Sequence, residues 1–572
     1  MLKHAPLLAL LAAILFAPIL LRPKEQITAD ANAETVVIVA PHNEAIRYEF
    51  SRAFEAWRLA RTGRRARVEW RTPGGTSEIA RYVASEYFAS FQEYWTGRLG
   101  RPWSKVVESS FDNSKISPAA SAAMDSEAQA ARRAFLDSDV GCRIDLFFGG
   151  GSFDFEQQAK AGRLVDCGYV AAHPELFNDQ GIPRIVSGEP YWDPKGRWIG
   201  TVVSSFGICY NTDALSRLGV ARLPSRWSDL GDPVYAHEIA LANPTQSSSV
   251  NKAFEMLIQQ QIQEALNGPS SDQSDQSDRS DRTRGIPNAA PPANTAQNAQ
   301  AIAEGWERAM RLLMKIGANA RYFTDASAKI ALDVESGEAA AGMTIDFFGR
   351  YQSEAVRRPD GSSRLQYVNA AGGTSVGVDP IGLFRGAPHR EIARSFIDFV
   401  LSPEGQKLWN WKVGAPGGPH RYALRRLPIL AALYAPDLRQ YRSDPDVDPY
   451  ALARTFTYHA EWTASLFRPI AFIVRVMCVD SHDELTAAWR ELRAAGFPPQ
   501  AMATFEDVRV VSYSAASQEI RQALVGDKIQ EVKLAKQLAD RFRNQYDLAA
   551  QQARNSLGSG KKAPPENSTT PR

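Results

Sequence analysis

Gly149-Gly150-Gly151-Ser152 strips side chains from the start of a helix and leaves its backbone N–H groups bare. Those groups, with the partial positive charge of a helix N-terminus, suit an anion or a polar head group. Thr245-Gln246-Ser247-Ser248-Ser249 places hydroxyls at a second helix start, where plain N-capping needs only one of them. Thr76 follows Pro73-Gly74-Gly75, and His42 follows a buried strand, so both stand at strand-to-helix turns. Asp346 and Phe347 follow the apolar run Ala341 to Ile345. Asp346 can pair with an ammonium or accept from hydroxyls, and Phe347 can cover an apolar part of a ligand. With Ser205, in a long apolar strand, these positions (His42, Thr76, Gly150, Gly151, Ser152, Ser205, Thr245, Ser247, Ser248, Asp346, Phe347) outline a site for a small anionic or zwitterionic solute. Asp154, near the same helix start as Ser152, argues mildly against a strongly charged anion there.

The elements that position them read as an α/β chain. Thr35 to Ala40 is a buried parallel strand; a helix with Ile46, Phe50, Phe54 and Leu59 on one face follows, then a strand at Arg67 to Trp70. With Ile144 to Phe148 this gives strands that each deliver a loop into a helix start at one sheet edge, where open α/β sheets bind ligands. Thr201 to Asn211 reads as one long crossing strand, and Thr374 to Phe384 as its return. The expected organisation is a signal peptide or membrane anchor at 1–33, a first lobe at 34–200 with an irregular insertion at 90–140, and a second lobe at 201–375 with a disordered low-complexity loop at 267–300. A return to the first lobe at 376–430, a helical extension at 431–545 and a disordered tail at 546–572 complete it. The apolar piece Trp462 to Val474 reads as a core helix.

Hydrophobic residues at 44% and charged residues at 23% are globular values, and 572 residues can bury large cores. A net charge of +2 gives no general attraction to nucleic acid or membrane phosphate. The run from Leu7 to Leu21 is short for a span and suits a secretory segment, with an uncleaved anchor as the alternative. Export permits disulfides among Cys142, Cys167, Cys209 and Cys478; Cys142 and Cys167 return to the same sheet edge and could bridge, the alternative being four buried thiols. No H-E-x-x-H and no Walker loop is present, and no enzyme and no cofactor is expected.

In order along the chain, Val37 to Ala45, Asp145 to Phe148, Gly207 to Asn211, and Gly382-Leu383-Phe384 through Ser402-Pro403-Glu404-Gly405-Gln406 resemble periplasmic solute-binding proteins of ABC importers. The resemblance is to the group that includes ferric-ion, thiamine and polyamine binders, and it covers roughly residues 35 to 430. It implies a type II fold: two α/β lobes joined by two crossing strands, a ligand cleft that closes by a hinge, and an ABC permease as partner. A periplasmic monomer, tethered if the N-terminal segment is retained, is the expected form. His42 matches the histidine of iron-binding members, but Gly150 stands at their carboxylate position, and Phe347 and Phe348 stand at their tyrosine pair. Phenylalanine offers no phenolate, so a metal site is not expected. A ferric-ion carrier and a membrane-anchored sensor are the alternative readings.

Overall fold

The computed structural model describes residues 33–268, 295–526 and 528–559. Of the expected signal or anchor at 1–33, the disordered loop at 267–300 and the tail at 546–572, residues 1–32, 269–294 and 560–572 lie outside the described residues, and residues 295–300, expected in the loop, are helical.

The strands are β1 (Glu34–Val39), β2 (Ala66–Arg71), β3 (Leu146–Phe148), β4 (Leu164–Val165), β5 (Ile185–Val186), β6 (Glu189–Pro190), β7 (Ile199–Ser204), β8 (Phe206–Asn211), β9 (Ile239–Ala242), β10 (Ala320–Thr324), β11 (Ala341–Ile345), β12 (Leu365–Asn369), β13 (Gly377–Phe384) and β14 (Leu427–Pro428). The first sheet runs β14-β7-β13-β3-β1-β2, with β4 on β13; the second runs β10-β9-β11-β8-β12. In the first, β1 is parallel to β2 and β3, while β13 is antiparallel to β3 and β7. In the second, β9 is parallel to β10 and β11, and β8 is antiparallel to β11 and β12. The fold is two-lobed, as expected, with one sheet in each lobe.

Eleven helices matter here: α1 (Glu44–Thr62), α2 (Thr76–Glu93), α3 (Ser152–Ala161), α4 (Ser248–Leu266), α5 (Thr295–Asn319), α6 (Ser327–Ser336), α7 (Asp346–Ala355), α8 (Arg390–Leu401), α9 (Phe467–Val474), α10 (His482–Ala494) and α11 (Lys528–Ser559). Gly63 ends α1 and Gly337 ends α6, each in the left-handed conformation that glycine adopts without a Cβ penalty. The buried face of α1 is Ile46, Phe50, Phe54 and Arg58; Leu59 is 46% exposed, and Arg58 takes the core-side turn because it donates to Glu34.

The sequence expectation of one crossing strand is corrected. Residues 199–211 form two strands broken at Ser205, because β7 pairs in the first sheet and β8 in the second. The stretch at 90–140 is not a loose insertion: Val107, Phe111, Ala131 and Phe135 pack in the first core, with Phe91 stacked 4.7 Å from Phe111. The C-terminal helices likewise are core. Residues from Phe456 to Ala553 share one buried cluster with β8, β9 and β11, and α11 extends helix through 546–559, into what was read as tail. The apolar piece around Ile470 and Ile473 lies inside that cluster. All four cysteines are free and buried, so the Cys142–Cys167 bridge is absent. Burial pushes the Cys142 thiol up to about 12 and the Cys167 thiol up to about 11.

Candidate functional site

A cleft of about 550 Å³ opens between the two sheets. Its walls are the first turns of α1, α2 and α3 from one lobe and of α4 and α6 from the other. Asn43 caps α1 and Ser247 caps α4, whereas α2, α3 and α6 start at Gly75, Gly151 and Ala326 with no side-chain cap. The uncapped turns leave first-turn backbone N–H groups without a side-chain acceptor, although Asp154 N and Lys329 N turn back onto Gly151 O and Ala326 O.

His42, Thr76, Gly150, Gly151, Ser152, Ser247, Ser248 and Phe347 line this cleft together. Thr76 Oγ1 donates to Ser248 Oγ at 3.1 Å, a contact between the two lobes. Gly150 holds φ at +114°, and a Cβ there would lie 2.3 Å from Thr76 Cγ2, so glycine is what lets α2 and α3 start side by side. Gly149 has the same role against the His42 ring, at 2.3 Å from Cε1. His42 packs edge-on to Phe148 at 4.7 Å, its Nε2 is buried without a partner, and burial beside Arg426 holds its pKa well below the usual imidazole range.

Ser205, Thr245 and Asp346 stand elsewhere. Ser205 Oγ donates to Asn369 at the sheet switch, and Thr245 Oγ1 donates to Asn243 within its own turn. Asp346 is buried at the start of α7, where it accepts from its neighbour Phe347 N at 2.8 Å and lies 3.9 Å from Arg350. Burial pushes its carboxyl up to about 6, with Arg350 and Arg426 pulling the other way.

Two charged groups of the cleft carry no sequence motif. Lys252 Nζ lies 2.8 Å from Glu189 and 2.9 Å from Glu255, over the Tyr458 ring at 3.8 Å. Tyr458 and Thr463 hydroxyls also donate to Glu255, and Ser375 donates to Glu189. The paired carboxylates outweigh burial and keep Lys252 charged. Arg426 pairs with Asp379, donates to Ser204 at 3.0 Å and covers the Phe347 ring at 4.0 Å. Helical spacing of Ser248, Lys252 and Glu255 was the one readable signal, since they share a face of α4. Glu189 and Arg426 arrive by tertiary folding alone.

Residues 144–443, more than half of the chain, match the family described as bacterial extracellular solute-binding protein. An uncharacterized protein of Haemophilus influenzae is 24% identical over 278 residues, 48% of this chain and 62% of that protein. The phosphoglycerate transport regulatory protein PgtC of Salmonella typhimurium is 23% identical over 210 residues, 37% of this chain and 40% of that protein. The chain thus spans less than two thirds of the length of either relative. The periplasmic binding protein AfuA from Actinobacillus pleuropneumoniae, solved with fructose-6-phosphate, overlaps 65% of this chain and 81% of its own at 16% identity, with a TM-score of 0.39, too loose an overlap to argue from. The family match is the firm one, and by it this chain belongs to the bacterial extracellular solute-binding proteins.

Proposed function

We propose that this chain captures a small solute outside the cytoplasm by closing its lobes and delivers it to an ABC permease, without catalysing a reaction. One observation carries the reading. First turns of helices from both lobes meet at the Thr76–Ser248 contact, so a group bound there is held by both lobes at once. Uncapped N–H groups at α2, α3 and α6 favour an anionic head group. The rest of the solute meets carboxylates, because Glu78, Asp154, Glu156, Glu189, Glu255, Asp325 and Asp379 outnumber Lys252 and Arg426 in the lining. A solute with an anionic head and hydroxyl or ammonium groups behind it uses both features. The name of the PgtC relative, a phosphoglycerate transport regulatory protein, agrees with such a solute. The chain acts as a monomer in the periplasm, and the segment before residue 33 either directs export or tethers it.

The test is a melting screen against phosphate esters, phosphonates, carboxylates, polyamines and ferric complexes. An anionic or zwitterionic solute at a hundred times its Kd adds about 2.7 kcal/mol of stability and raises the Tm. A rise with polyamines or ferric complexes alone would overturn the reading.

A further inference from the structure

Within the cleft, one group contradicts a simple anion cradle. Asp154 sits in the first turn of α3, a helix of ten residues, and lines the cleft where Thr76 of α2 and Ser248 of α4 meet. It is 8% exposed, and although the Thr76 and Ser248 hydroxyls stand beside the carboxyl, its Oδ2 is buried without a well-formed hydrogen bond. A carboxylate in that place repels a fully deprotonated oxyanion and leaves a strong acceptor unmet, which is costly inside a protein. Both problems vanish if the bound head group brings a hydrogen-bond donor of its own.

We infer that Asp154 is a specificity-determining residue: it accepts a hydrogen bond from a hydroxyl on the solute's anionic head and rejects anions that lack one. This deepens the proposed anion reading of the cleft and rests on it. The class selected is an oxyanion bearing a P–OH or an adjacent C–OH, such as a phosphate or phosphonate that keeps one proton, or a hydroxy acid. Thr76 and Ser248 hydroxyls and the N–H groups of α2 and α3 take the remaining oxygens. Gly150, with no Cβ, keeps the space beside Thr76 open. An acid in a first turn also steadies its own helix, so stability alone cannot reveal this role; the contrast between two anions can.

Inorganic phosphate and sulfate at pH 7.5 make the comparison, since both are tetrahedral and mainly dianionic and only phosphate keeps a hydroxyl. Calorimetric titration of the full chain is expected to show phosphate binding at least about tenfold tighter than sulfate. Asp154→Asn, whose amide can donate, is expected to bring the two within about threefold by weakening phosphate and admitting sulfate. Asp154→Ser serves if the amide variant does not fold. Equal binding of both anions by the unmodified protein, or an undiminished contrast in the variants, overturns the role of Asp154. If neither anion binds or raises the Tm, the anion reading of the cleft fails and this inference falls with it.

Discussion

Asp154→Asn also tests the electrostatics of closure without any ligand. Burial pushes this carboxyl from an ordinary 3.8 up to about 6, with the Thr76 and Ser248 hydroxyls beside it pulling the other way. An acid whose folded pKa lies above its unfolded value holds its proton more tightly in the folded, closed state. Its contribution to stability is therefore greatest below about pH 4, falls as the pH rises to about 6, and stays low above that. At about 1.36 kcal/mol per pKa unit, the ionised group opposes the folded form by about 3 kcal/mol at pH 7. Ser248 belongs to the other lobe, so the share of this penalty that its lobe imposes on Asp154 falls on closure. Small-angle scattering and scanning calorimetry at pH 5 and pH 7.5 read it. The unmodified protein should be more compact and melt higher at pH 5, while Asp154→Asn should be compact at both. Glu78, Glu156 and Asp325 line the same cleft but are common to both proteins, so the difference isolates Asp154. Parallel pH profiles for the two proteins would refute the argument.

Three further substitutions probe the site. Gly150→Ala forces a Cβ to 2.3 Å from Thr76 Cγ2 at a φ of +114° and should lower stability by about 1–3 kcal/mol; an unchanged Tm would mean that α2 and α3 can part freely. Lys252→Met leaves Glu189 and Glu255 buried without their cation and should cost about 3–5 kcal/mol in chemical denaturation, part of it recovered by adding Glu255→Gln. Loss of under 1 kcal/mol would show that the pair is hydrated. Asp346→Ala should lower the Tm yet change ligand affinity by less than about threefold, because the side chain serves Phe347 N and Arg350; a tenfold loss would put it at the ligand.

Much of the fold was legible because strand and helix periodicity is local. β1, β3 and β11 read as apolar runs, and the loops after β1, β2 and β3, with the serine-rich turn at 245–249, read as helix starts. Those loops are the ones that meet in the cleft, so His42, Thr76, Gly150 and Ser248 were readable from strand-to-helix chemistry. Asp346 was misplaced because it has the same context, an acid just past a buried strand. Which way it faces depends on Ser205 and Arg350, 141 residues and 4 residues away. The break at Ser205 was invisible for a similar reason. Both halves of residues 199–211 are uniformly buried, and only pairing partners far along the chain separate them. Glu189, Arg426 and Tyr458 come to the cleft from segments with no motif, so composition and spacing gave no signal for them.

The C-terminal helices alter how closure must work. β7 to β8 and β12 to β13 carry the chain between lobes twice, and a third passage lies between Ala453, packed in the first core, and Phe456, packed in the second. The β5–β6 turn grips that third strand of chain. Ser187 Oγ donates to Phe456 O at 2.6 Å, Tyr458 N donates to Ser187 O at 2.8 Å, and a Cβ on Gly188 would lie 1.9 Å from Tyr458 O. Glu189, next in sequence, then pairs with Lys252 of the other lobe. Beyond this strap Tyr458, Ala460, Ala464 and Phe467 line the cleft, and Phe467 meets Phe153 of the first lobe at 4.6 Å. The extension is thus a wall of the cleft and a third connection of the hinge. The family match ends at residue 443, ahead of this wall. Solute preferences set by Tyr458 and Phe467 therefore cannot be carried over from relatives through the matched span, and must be measured on this chain.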